Sequence, residues 1–239
     1  MARVARTKPP LTIPEIRVNS GIEKWYTNQL TRLVKEMKSD IQSELIKGFK
    51  REVKIAQDGI TDYLSHAIEL IPYQWEQKLD SLAEEIVKKF INRTVSNYDN
   101  LMKLHMRKAG FTVRFQTTQF QRDALQATIK ENVSLIKSIS SQYLERVQGD
   151  VWRCVINGYD LKGLTESLAD GYGISLRRAG NVARDQSFKA HATIERARRK
   201  ELGITKAIWM HSHAGKKPRP SHVKANGQIF DVVNYLELS

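Results

Sequence analysis

Residues 21–60 read GIEKWYTNQLTRLVKEMKSDIQSELIKGFKREVKIAQDGI. Within them Ile22, Tyr26, Leu30, Leu33, Met37, Ile41, Leu45, Phe49, Val53, Ala56 and Ile60 recur every three or four positions with charged residues between. That spacing is the apolar stripe of an amphipathic helix, on the order of 55 Å long at about 1.5 Å per residue. Asp58-Gly59 offers a break, after which residues 61–70 read as a further helical piece.

The same period continues outward. Pro72 marks a corner, and Trp75, Leu79, Leu82, Ile86, Phe90, Val95, Tyr98 and Met102 describe a second long helix closed by Ala109-Gly110. Two long helices about a short corner fold back as a hairpin. Phe111–Phe115 alternates, as a short strand or an extended link would. Phe120, Leu125, Ile129, Val133, Ile136, Ile139, Tyr143 and Val147 then give a third helix, ended by Gly149. Residues 21–149 therefore read as an elongated helical hairpin or three-helix bundle. Before them, residues 1–20 carry Pro9, Pro10 and Pro14 among scattered cations, the composition of an extended arm.

Beyond Gly149 the pieces shorten. Leu161–Ala169 reads as a short helix stopped by Gly171-Tyr172-Gly173, and Ser175 is placed to cap a basic helix running to about Glu201. Its small residues, Ala179, Val182, Ala183, Ala190 and Ala192, and Phe188, suit packing against the strands that follow. Those strands are Ala207-Ile208-Trp209 and Ile229-Phe230 with Val232-Val233, joined by a basic loop that closes at Asn226-Gly227, two residues that tolerate positive φ. Pro218 and Pro220 keep Lys217 and Arg219 out of helical geometry. The predicted fold is mainly α: an elongated N-terminal helical region and a small C-terminal α+β domain, residues 150–239, with a terminal β-ribbon.

Composition narrows the class. No apolar run approaches the roughly 20 residues of a membrane span, and Met1–Arg6 lacks the apolar core of a secretory signal, so the expectation is a soluble protein made in a cytoplasm. The lone Cys154 has no partner for a disulfide and reads as a buried structural thiol. Net charge is +13, and it is concentrated: residues 177–224 carry thirteen basic and three acidic side chains. A block of that kind attracts a polyanion, nucleic acid first, or else forms a solvated face or docks on an acidic protein. Arg196, Arg198, Arg199 and Lys200 cannot all be paired internally and are the first nucleic-acid contacts by this reading, with Lys216, Lys217 and Lys224 next. Arg178 and Arg184 bind phosphate or form internal pairs with Asp185 or Asp231.

The basic helix with Arg178-Ala179 and Ala183-Arg184-Asp185, then Gly203-Ile204, Trp209, Pro218-Arg219-x-Ser221-His222 and Asn226-Gly227-x-x-Phe230, resembles the phage Mu protein F-like head morphogenesis family of minor capsid proteins. The match covers residues 150–239, and the arm and long helices match by layout alone. The resemblance implies a minor head protein of a tailed phage or prophage, made in the bacterial cytoplasm and located in the virion. It would meet portal, scaffold and other capsid proteins and packaged double-stranded DNA, with exit alongside the DNA left open. Long amphipathic helices also permit self-association. Many relatives carry a cysteine in the loop before the Asn-Gly turn. Here the loop holds His211, His213 and His222 instead.

His211 and His213 are two apart and share a face on a strand, so with His222 they could hold a metal and leave a fourth position open, as a hydrolytic zinc site does, with Asn226 or Asp231 near in sequence. That is the alternative reading, a metal-dependent nuclease or other phosphodiester hydrolase. Against it, no acidic ligand pair is adjacent and the spacing matches no zinc motif. The reading adopted is non-enzymatic, with no cofactor: the histidines and Ser221 support the loop, and Arg219 pairs with an acidic group elsewhere.

Overall fold

The computed structural model describes residues 12–52, 58–211 and 219–232. It is mainly α, as the periodicity predicts: α1 Ser20–Glu52, α2 Asp58–Lys108, α3 Gln119–Ile156, α4 Leu161–Glu201, β1 Lys206–Ile208, α5 Pro220–Lys224 and β2 Ile229–Asp231. The chain forms two compact units, residues 1–194 and 195–239. The expected boundary at 149/150 instead falls inside α3. Among the described residues no helix is long and apolar enough to cross a membrane.

In the first unit four helices run antiparallel in succession. Tyr26 stacks on Phe90 and Glu36 meets Lys78. Asp80 meets Lys137. Asn132 bonds Gln186, Ser138 bonds Arg178 and Arg146 bonds Asp170. Partner numbers fall as the others rise, so each helix reverses the one before it. The α1 stripe is buried as its spacing requires, with Tyr26, Leu30, Leu33, Met37, Ile41 and Leu45 all in the core. Stripe members Phe49, Val53, Ala56 and Ile60 lie where side chains are outside the described residues, as does the arm through Leu11. Ile16 of the arm is buried, however, and its carbonyl accepts a hydrogen bond from His191 Nε2 at 2.7 Å.

Three expected breaks are absent. Pro72 lies within α2, where a proline costs about 3 kcal/mol. Ile68, Ile71, Trp75 and Leu79 on either side of it are buried in the core, and each such side chain contributes about 1.5–3 kcal/mol. Burial wins. Gly149 lies within α3, since about 1 kcal/mol for a mid-helix glycine is outweighed by buried Val147, Val151 and Cys154 continuing the stripe. Gly171 and Gly173 lie within α4. A Cβ on Gly171 would stand 3.1 Å from Arg146 Cδ and Nε, so this glycine admits the neighbouring arginine. Ser175 consequently caps nothing; its hydroxyl donates to the Gly171 carbonyl at 3.0 Å.

The ends that do occur have local causes. Gly110, at φ +88°, lets the Phe111 amide reach back to the Met106 carbonyl at 2.9 Å. Phe111–Phe115 is an extended link without a ladder. Thr118 and Gln121 form a reciprocal capping box that starts α3. Three apolar residues expected to pack are exposed, Phe120, Phe188 and Ala192. Ala179, Ala183 and Ala190 belong to the helical core. Cys154 is buried, and burial, then the charge of Asp160, push its thiol pKa up, as an inert structural thiol requires.

A polar chain crosses this core. The Tyr26 hydroxyl donates to Asn132 Oδ1 at 2.9 Å, and Asn132 Nδ2 donates to Gln186 Oε1 at 2.8 Å. Gln186 Nε2 donates to Glu131 and Asp185, which Lys189 bridges at 3.3 and 3.0 Å.

Candidate functional site

The residues that carry the sequence resemblance past Gly203 are gathered in the second unit. β1 and β2 pair antiparallel, with Lys206 opposite Asp231, Ala207 opposite Phe230 and Ile208 opposite Ile229. Side chains alternate along a strand, so Trp209, two residues after Ala207, stands on the Phe230 face. Its ring centroid is 6.1 Å from Phe230 and 5.4 Å from His222, both edge-to-face. The ladder runs on through the Trp209 amide, which donates to Gln228 O at 2.9 Å, and through Gly227, which donates to Trp209 O at 2.8 Å.

The connection is not a plain hairpin. Arg219 precedes α5 with extended ψ of 130°, and Pro220 occupies the first helical turn, where its missing N–H is harmless. After α5, Gly227 alone of the Asn-Gly pair takes positive φ, +79°. Asn226 instead acts through its side chain, whose Oδ1 accepts the His211 backbone N–H at 3.0 Å. The dipeptide therefore turns the chain with its glycine and ties the turn to the end of β1 with its asparagine.

The expected three-histidine site comprises His211, His213 and His222. His213, with Lys216, Lys217 and Pro218, lies outside the described residues. His222 is set against the Trp209 ring, and His211 anchors the turn through its backbone. Among the described residues no group of three His, Cys, Asp or Glu side chains could hold a metal ion. Arg219 and Ser221 are exposed.

The basic cluster divides. Arg198 has a side chain only 8% exposed and donates to Glu201 Oε2 at 2.8 Å; it is turned inward and is withdrawn as a phosphate contact. Arg199 lies 3.7 Å from Glu195. Two of the four cations thus have carboxylate partners, because Glu195 and Glu201 stand one helical turn away on either side. Arg196, Lys200, Lys206 and Lys224 are exposed. In the first unit Arg178 donates to Ser138 Oγ at 3.1 Å, not to Asp185, which Lys189 meets instead. Arg184 is exposed.

The chain is similar to an uncharacterized protein of Haemophilus influenzae, 29% identical over 237 residues, which are 98% of this chain and 52% of that protein. The chain thus spans about half the length of the relative it matches. No family model matches the chain, and no solved structure does.

Proposed function

We propose that the chain is a minor capsid or head morphogenesis protein of a tailed phage or prophage, associated with portal and procapsid. Its small basic unit faces packaged double-stranded DNA. The observation that supports this reading is the convergence of Trp209, His222, Asn226, Gly227 and Phe230, residues of the resemblance, on one ring cluster and one hydrogen-bonded turn. Together they build a fold element, which suits an assembly role. Arg196, Lys200 and Lys224 on the exposed surface supply sequence-independent phosphate contacts.

Deletion of the gene from a phage that encodes it tests the reading. Heads should fail to mature into infectious particles, with rescue by the full chain and weak rescue by Trp209→Ala. Normal yields of infectious particles from the deletion would sink it, and cleavage of DNA by the purified chain with added zinc would return the histidine loop to consideration.

A further inference from the structure

Outside the basic C-terminal region, α2 carries a second cationic surface that net charge conceals. Lys89, Arg93, Ser96, Asn100, Lys103 and Arg107 are all exposed. At 3.6 residues per turn they fall within about 40° on either side of one line along the helix, over about 27 Å. Between Lys89 and Arg107 no aspartate or glutamate shares that arc; Asp99 lies on its flank, and Glu15 of the arm beside it is matched by Arg17 at 2.9 Å. The stripe was invisible to charge counting because Glu84 and Glu85, in the turn before it, offset its cations.

Two features shape this surface. Trp25 from α1 lies under both upper cations, with Arg93 Cζ 4.5 Å and Lys89 Nζ 6.0 Å from its ring centroid. Phe115 of the α2–α3 link lies under Lys103 at 5.7 Å. Rings below the cations hold them out while leaving their donors toward solvent. Beside these cations an open groove of about 700 Å³ is lined by Gly21 and Ile22 and by Asn19, Lys89, Asn92, Arg93, Ser96 and Asn97, the last six of which offer side-chain hydrogen-bond donors.

We infer that this face of α2 binds the phosphate backbone of nucleic acid. A duplex carries one charge per roughly 1.7 Å of axis, and neutral donors such as Ser and Asn join Lys and Arg in holding phosphate oxygens. The cores of protein interfaces are depleted in charged residues, whereas four of the six side chains along the stripe are cations. The surface lies wholly in the first unit and stands independently of any role in a phage head.

The test is salt-dependent binding of the full chain to a mixed-sequence duplex of about 30 base pairs, read by fluorescence anisotropy. Changing Lys89, Arg93, Lys103 and Arg107 together to Gln should flatten the slope of log K against log salt by roughly 3.6, at about 0.9 per phosphate contact for a duplex. The affinity should fall more than about tenfold at low salt. Lys89→Arg with Lys103→Arg should leave both unchanged. Should the fourfold variant not fold, the pairs Lys89→Gln/Arg93→Gln and Lys103→Gln/Arg107→Gln should each give about half the change. An unchanged slope overturns the inference. So does loss of polyglutamate binding with duplex affinity intact, which would assign the stripe to an acidic protein.

Discussion

Asn132 of α3 and Gln186 of α4 meet side chain to side chain in the core, Nδ2 to Oε1 at 2.8 Å, and both are fully buried. With the Tyr26 hydroxyl on the other side of Asn132, one carboxamide fixes three helices in a single register. An apolar contact would permit sliding by a turn. A shifted Asn132 would leave two buried polar groups unpaired.

Asn132→Leu should therefore cost more than its lost contacts, about 2–4 kcal/mol, because Tyr26 Oη and Gln186 Oε1 are both orphaned. Adding Gln186→Leu should recover part of that loss, a coupling readable by urea denaturation in a double-mutant cycle. Strict additivity would show that the two side chains do not act as a unit.

Burial, then the neighbouring Tyr172, push the Tyr143 phenol pKa up to about 12 from 10.0. The folded state holds its proton where the unfolded chain releases it. Its contribution is complete below pH 10 and is lost as pH rises toward 12. Tyr143→Phe should flatten that part of the stability–pH profile by roughly 2 kcal/mol, with tyrosinate absorbance as the check. An identical profile in the variant would contradict the assignment.

Arg198 and Arg196 are two residues apart and should behave oppositely. Arg198→Ala leaves Glu201 without its 2.8 Å partner in a site where that carboxylate is 17% exposed, and should destabilise the second unit by about 2–4 kcal/mol. Arg196→Ala should leave stability unchanged and weaken duplex binding. Hydrogen exchange in residues 195–211 and duplex titration separate the two effects; equal loss of binding at unchanged stability would overturn the division.

Pro72→Ala should restore the helical bond to the Ile68 carbonyl and raise stability by roughly 1–3 kcal/mol, partly offset by the freer unfolded chain. Thermal denaturation reads it. A lower midpoint would mean that the pyrrolidine ring contributes packing that alanine cannot replace.

The helices were legible because period 3.6 recurs along α1, α2 and α3 with enough apolar residues to survive local noise. The end of α2 at Gly110 was legible too; the breaks read at Pro72, Gly149 and Gly171 were not there. Pro72, Gly149 and Gly171 each disfavour helix locally, yet the buried residues around them pack into a core shared with other helices, and that contribution cannot be counted from one segment. The polar chain was missed for a related reason: Asn132 and Gln186 are 54 residues apart and each looks like surface on its own. In the second unit the strands and the turn were readable from Ile208, Phe230 and Gly227. The inward turn of Arg198 could have been found from Glu201 three residues on. The α2 stripe required seeing which cations share a face.

Mass spectrometry of purified virions and DNA-free procapsids from a phage encoding this chain, with portal as internal standard, bears most directly on the central claim. A minor head protein should be present in both particles at a low copy number that scales with portal. Absence from both would contradict the account.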